Sequence, residues 1–197
     1  MFTGIITNLG VLSAIKGEFN SQYEIASDID LSRVFIGASI CCSGVCLTVV
    51  EKAGSSVVFD VSNETLSKTT LKSWIVGDRV NLEQSMSAND QFGGHIVTGH
   101  IDGVSILEDI WPDGESKRYK FSIPNGLESL LAKKGSVAIN GVSLTINEVS
   151  SSTFEVNIIP HTMEKTTFHS LITGDRVNIE VDILARYVDR QLKNMRQ

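Results

Sequence analysis

Thiol, hydroxyl and imidazole groups are the side chains of this 197-residue chain that could relay protons or act as nucleophiles, and they fall in a few short segments. All three cysteines, Cys41, Cys42 and Cys46, lie within six positions. An odd number in one cluster is no disulfide framework, and without a second ligand pair it matches no common zinc spacing, so reduced thiols are expected. Two histidines, His95 and His100, sit in the segment GGHIVTGH. On an extended chain, residues five apart face opposite sides and cannot chelate one metal. The paired glycines permit close approach of a second backbone or a ligand. Because His100 shares a face with Thr98, the reading puts His100 rather than His95 in a polar site. Cys46 and Thr48 alternate with apolar residues in VCLTV, as Ser143 and Thr145 do in VSLTI. A lone outward hydroxyl or thiol is ordinarily just solvated. The same polar pair occurring twice carries more weight. The acids Glu64, Asp102 and Asp182 are further candidates on the surface. No Ser-His-Asp order, P-loop or dinucleotide fingerprint is present.

The elements that hold these residues are disclosed by an internal repeat. Residues 38–83 align without a gap on residues 135–180 at an offset of 97. About 19 of the 46 aligned positions are identical, where residue usage would give roughly 3. Thr3-Gly4-Ile5-Ile6 recurs as Thr98-Gly99-His100-Ile101 at an offset of 95. The chain therefore divides into an N-terminal unit at 1–97, a second unit at 98–182 and a tail at 183–197. Within each unit the apolar period is two. SVAI, Asn140-Gly141 and VSLTI read as strand, tight turn and strand, with Ser43-Gly44 as the weaker first copy of the turn. VVFDV, FEVNII, RYKFSI and the two GDRVN(L/I)E segments are further strands. Leu127 to Lys134, ending at Gly135, is expected to be a short helix. The fold class is all-β, two small antiparallel barrels with Greek-key-like or meander connections, and a β-sandwich is the alternative. If Val45, Leu47 and Val49 face a barrel interior, Cys46 and Thr48 lie on its outer wall, so a ligand would sit between barrels. In the tail, Leu184, Val188, Leu192 and Met195 form one helical stripe. Such a helix either lies back on its own barrel or associates with copies of itself.

Composition bounds the partners. With 17 basic and 23 acidic residues the net charge is −6, and no basic run offers a nucleic-acid or membrane surface. The N-terminus lacks the basic segment and cleavage pattern of a signal peptide, and no stretch approaches about 20 uninterrupted apolar residues, so a cytoplasmic protein is expected. These arguments reach a duplicated barrel with a polar site between barrels. They name no reaction.

The residues themselves carry a resemblance. The start MFTGII, the repeated (S/N)GV(C/S)LT, the segment GGHIVTGHIDG and the pair ETLSKTT and HTMEKTT make the whole chain similar to the riboflavin synthase family. That resemblance implies a transferase of riboflavin biosynthesis. It moves a four-carbon unit between two molecules of 6,7-dimethyl-8-ribityllumazine, giving riboflavin and 5-amino-6-(D-ribitylamino)uracil, with no metal or redox cofactor. It also implies a homotrimer held by the C-terminal helices, its sites formed by the N-terminal barrel of one subunit and the C-terminal barrel of the next, and it leaves association with lumazine synthase open. Cys46, His100, Ser143 and Thr145 become the polar groups nearest the chemistry, and Phe2 closes the site from the N-terminus. A thiol is a better nucleophile or proton relay at neutral pH than a hydroxyl, so the Cys46/Ser143 difference would distinguish two half-sites.

Substrate contacts carry over where the motifs match. In the first unit these are Gly4, Ile5 and Ile6, then Ser39, then Leu47, Thr48 and Val49, and finally Val61, Ser62, Asn63, Glu64, Thr65 and Leu66. In the second they are His100, Ile101 and Asp102, then Lys134, then Leu144, Thr145 and Ile146. Ile159, Pro160, His161, Thr162, Met163 and Glu164 follow, with Asp182 near the end of the barrel. Ser43 replaces the family's usual Asn, and Ser62-Asn63 replaces a common Met-Pro, which bears on local loop geometry. The rival within the same lineage is a lumazine- or flavin-binding antenna protein of the kind found in luminous bacteria. Those relatives lose the two histidines and degrade the second SLT segment, all of which are present here.

Overall fold

A computed structural model describes residues 1–17 and 21–195. Among the described residues, alternating apolar side chains build twelve antiparallel strands in two closed barrels, which excludes the sandwich. The first barrel consists of β1 (Asn8–Lys16), β2 (Ser21–Ala26), β3 (Ser39–Cys42), β4 (Val45–Ala53), β5 (Ser56–Val61) and β6 (Arg79–Gln84). They run around it in the order β1-β2-β5-β4-β3-β6. The second consists of β7 (Gly103–Asp113), β8 (Ser116–Ser122), β9 (Ser136–Ile139), β10 (Val142–Val149), β11 (Thr153–Ile158) and β12 (Arg176–Val181). Its order, β7-β8-β11-β10-β9-β12, repeats that of the first. Pairing of β2 with β5 rather than β3 is the crossover that makes the connection Greek-key-like. Register shifts fall at equivalent places, Leu12/Ala14 and Val49/Glu51 in one barrel, Leu107/Asp109 and Ile146/Glu148 in the other. Such bulges bend strands sharply enough to close a six-stranded sheet.

Each barrel has its own apolar core. Val45, Leu47 and Val49 point into the first, with Cys46 half-buried and Thr48 exposed on the outer wall. Val142 and Ile146 do the same in the second, while Leu144 is only half-buried. The hairpin tips turn through positive φ at Ser43 (43°) and Asn140 (46°), as a type I′ turn requires.

The expected helix at Leu127 to Lys134 is absent. Only one 3-10 turn forms there, Glu128–Leu130, without a side-chain cap. Beyond it, Lys134 donates its N–H to Ile146 O and takes a φ of 69°, so the chain is already turning into β9. Short helices form instead at α1 (Asn63–Lys68), where Ser62 caps the N–H of Thr65, and at α2 (Pro160–Lys165), where Pro160 occupies the first turn.

The tail forms α3 (Ile183–Met195); Arg196 and Gln197, the last residues of the expected 183–197 segment, lie outside the described residues. The helix meets its own barrel through polar groups, Ser129 Oγ donating to Asp189 and Arg186 pairing with Asp102. Its apolar stripe remains uncovered, with Leu184 65% and Val188 57% exposed. Among the described residues no helix is long and apolar enough to cross a membrane.

Candidate functional site

Two straps run ahead of the barrels, residues 2–7 before β1 and residues 97–102 before β7, and each is bonded to both barrels. Glu83 of β6 accepts the N–H and hydroxyl of Thr3 at Oε1 (2.7 and 2.9 Å) and the N–H of Gly4 at Oε2 (2.9 Å). Glu180 of β12 accepts the same three donors from Thr98 and Gly99 at 2.7, 2.6 and 2.8 Å. The straps then reach across. Gly4 O accepts the N–H of Ser143 in the second barrel at 2.8 Å, and Gly99 O accepts the N–H of Cys46 in the first at 3.0 Å. Both glycines have positive φ, 77° and 81°. A Cβ at Gly4 would stand 2.6 Å from that of Ser143, and one at Gly99 would collide likewise with Cys46, so no other residue fits either position.

Behind the straps the barrels are joined by two fully buried asparagines. Asn81 donates Nδ2–H to Asn140 O at 2.9 Å and accepts the Thr167 N–H at 2.8 Å. Asn178 donates to Ser43 O at 2.9 Å and accepts the Thr70 N–H at 2.8 Å. The internal two-fold relation of the repeats is therefore built in hydrogen bonds.

The outer-wall groups are not equivalent. His95 Nδ1 lies 2.7 Å from Ser143 Oγ, and among the described residues no imidazole is hydrogen-bonded to Cys46. The sequence pattern favoured His100 as the histidine of the polar cluster; the structure bonds the buried His95 to Ser143 and leaves His100 exposed on the second strap. The extended-strand argument fails because residues 93–100 form no regular strand beyond the single bridge of Val97 to Phe2, and the chain turns at Gly99. Burial holds the His95 imidazole below its ordinary value, with Asp182 pulling the other way. Its buried Nε2 has no hydrogen-bond partner among the described residues. Burial pushes the Cys41 and Cys42 thiols well up, which makes them inert packing groups.

Phe2 is fully buried between the barrels, where it packs with Cys41, Val97 and Ala138 against the half-buried Cys46. Leu47, Val49, Val61 and Ile146 turn their side chains into the barrel cores, so any ligand at these positions meets their backbone. Thr48 and Thr145 stand exposed beside Cys46 and Ser143, with Ile5 and Lys134 also exposed. Ser39, Ile6, Ile101, Asp102, Leu144 and Asp182 are half-buried. Residues of the capped turns divide in the same way. Ser62, Asn63, Glu64, Ile159, Pro160, His161 and Glu164 are exposed, and Thr65, Leu66, Thr162 and Met163 half-buried. A cleft of about 800 Å³ beside the first strap is lined by Thr3, Ile5, Ser39 and Glu83 among others, and one of about 590 Å³ opens at the hairpin tips between Thr70 and Thr167. Neither of these two includes Cys46, Thr48, Ser143 or Thr145, and the larger one takes in the candidate contacts Ile5 and Ser39. Glu83, Glu180, Asn81 and Asn178 escaped the reading of the sequence. Their signal was an Asn and a Glu alternating with core residues at the same place in both repeats, where surface polarity was the simpler explanation.

Two segments, residues 3–85 and 98–182, each match the lumazine binding domain. The chain is 44% identical to riboflavin synthase of Photobacterium phosphoreum over 98% of its own length and 89% of that protein. It is 42% identical to riboflavin synthase of Brucella abortus, covering 96% and 97%. Among solved structures, LumP complexed with riboflavin superposes with a TM-score of 0.85 at 30% identity, over 92% of this chain and 99% of that one.

Proposed function

We propose a reaction from family and geometry together: the chain belongs to the riboflavin synthase family, and it converts two molecules of 6,7-dimethyl-8-ribityllumazine into riboflavin and 5-amino-6-(D-ribitylamino)uracil. Two like substrates need two like surfaces, and the strap-crossed barrels provide them. One substrate must give a four-carbon unit and the other receive it, so the two surfaces must also differ.

The observation that carries this reading is the contact between Ser143 Oγ and His95 Nδ1 in one half-site, opposite a thiol, Cys46, at the equivalent position of the other. The 7-methyl group of a lumazine loses a proton to start the chemistry, and the charge spreads over the pteridine. Ser143 accepts that proton while passing its own to His95, whose burial keeps the ring neutral and ready to receive it. Straps that are rigidly bonded at both ends hold the rings in register, which contributes through orientation. Lys134 supports the assignment from another side. It keeps a φ of 69° where the first repeat has Gly37 at 89°, a strained backbone that a ligand-facing side chain would explain. The exposed stripe of α3 supports a homotrimer whose helices bury it; the reading adds a cytoplasmic location and sites shared by neighbouring subunits, as the family resemblance implies.

The protein given only the lumazine, in buffer with EDTA, is expected to form riboflavin and the pyrimidine in equal amounts. The structural likeness to LumP supplies the second reading, a non-catalytic binder. Tight fluorescent binding without riboflavin formation would decide for it. Removal of residues from Leu184 onward is expected to give monomers in sedimentation, and an unchanged mass would remove the helix from the assembly.

A further inference from the structure

The two straps end differently. Thr7 closes the first, its N–H and hydroxyl both donating to Leu82 O at 3.0 and 3.2 Å. Its counterpart Asp102 keeps the backbone bond, to Ile179 O at 2.9 Å. The carboxylate adds what threonine cannot. Its Oδ2 accepts the Val181 N–H and Arg186 Nη2, both at 2.9 Å, and Nη2 also lies 2.9 Å from Oδ1. Arg186 comes from α3, which the first repeat lacks. Its buried Nε has no hydrogen-bond partner among the described residues, so Asp102 is what holds the guanidinium in place.

We propose that Arg186 is a positioning residue for the second strap: from α3 it fixes Asp102, and through Asp102 the strap that presents His100 and bonds its Gly99 carbonyl to Cys46 of the first barrel. Docking of the helix on its barrel and the geometry of one half-site are then the same event. The first strap, closed without a charge, is independent of the helix. The functional part of this rests on the site reading above, and the structural part does not.

Burial pushes the Asp102 carboxyl up, and the charged groups that pull it back are Arg186 from α3 and His100 from its own strap; β12 meets it through the Val181 N–H. Loss of Arg186 therefore raises it further. Hydrogen exchange and steady-state kinetics on Arg186→Met, Arg186→Lys and the control Lys193→Met, which breaks the pair to Asp189 on the same helix, make the test. In Arg186→Met the amides of 98–102 are expected to exchange faster while those of 3–7 keep their rate. Its kcat/KM for riboflavin formation should fall about tenfold. The acid limb of that profile should move to higher pH. Arg186→Lys should restore the limb and most of the protection, and Lys193→Met should change neither. A strap that exchanges at the wild-type rate in Arg186→Met, two straps that loosen together, or an unmoved acid limb would each overturn the proposal. A wild-type protein that makes no riboflavin, yet loosens only the second strap on losing Arg186, would instead sink the synthase reading and leave the positioning contact standing.

Discussion

The first and second barrels agree in strand order, bulge positions, the glutamate that holds each strap and the asparagine that joins each to the other. They differ at several of the candidate site positions, while others, Thr48 and Thr145 among them, are the same. Cys46 stands opposite Ser143 with its His95, Ile5 opposite His100, Thr7 opposite Asp102 with its Arg186, and Gly37 opposite Lys134. The groups that join straps and barrels have stayed two-fold, and the differences fall among the candidate site residues. That division suits a reaction in which identical substrates must be held alike and treated differently.

Removing the Ser143–His95 contact breaks the comparison most directly. His95→Gln and Ser143→Ala are each expected to lower kcat by about a hundredfold. On the proposed relay, the double variant should lose little more than either single one. Full additivity in steady-state assays would show that they do not share a step.

The asparagines test the symmetric side. Replacing Asn81 or Asn178 by Leu leaves one buried N–H and one buried carbonyl unpaired, at a cost of about 3 kcal/mol. Thermal unfolding should drop by roughly 6–10 °C in each case. The two variants should match, and a large difference would mean that the barrels do not lean on each other equally.

Asp182 sharpens the asymmetric side through pH. Its charge raises the imidazole that burial lowers, so in Asp182→Asn the pKa of His95 falls further. The acid limb of the kcat profile belonging to His95 should then move to lower pH, opposite to the shift expected for Arg186→Met. A limb that stays in place would detach Asp182 from His95.

Lys134→Gly makes the two barrels alike at one more position. Relief of the left-handed backbone is expected to raise stability by about 1 kcal/mol, read in denaturant unfolding. Weaker lumazine binding should accompany it. Unchanged affinity would leave the strain without a functional reason.

Several parts of this arrangement were legible in the residues. The offset of 97 exposed the duplication, and the alternation in VCLTV and VSLTI placed Cys46 and Ser143 on outer walls because side chains on a strand point to opposite faces. The bond between His95 and Ser143 was not legible. Strand alternation governs only regular strands, and residues 93–100 are instead shaped by distant groups, Glu180 and the Gly4 strap among them. The helix expected at Leu127–Lys134 failed for a related reason: local preference there yields to the Lys134 bond with Ile146, which lies 12 residues further on.

The sequence by itself determined two homologous β units, a helical tail with one apolar stripe, and which residue types face out of each barrel. These follow from periodicity and repetition, which are local or internally comparable. Only the tertiary structure decided that each strap is bonded into the opposite barrel, that His95 is the imidazole on Ser143, and that Arg186 of α3 reaches Asp102. Hydrogen bonds across 48 to 139 positions of chain depend on how two closed barrels meet, and no local pattern encodes that meeting.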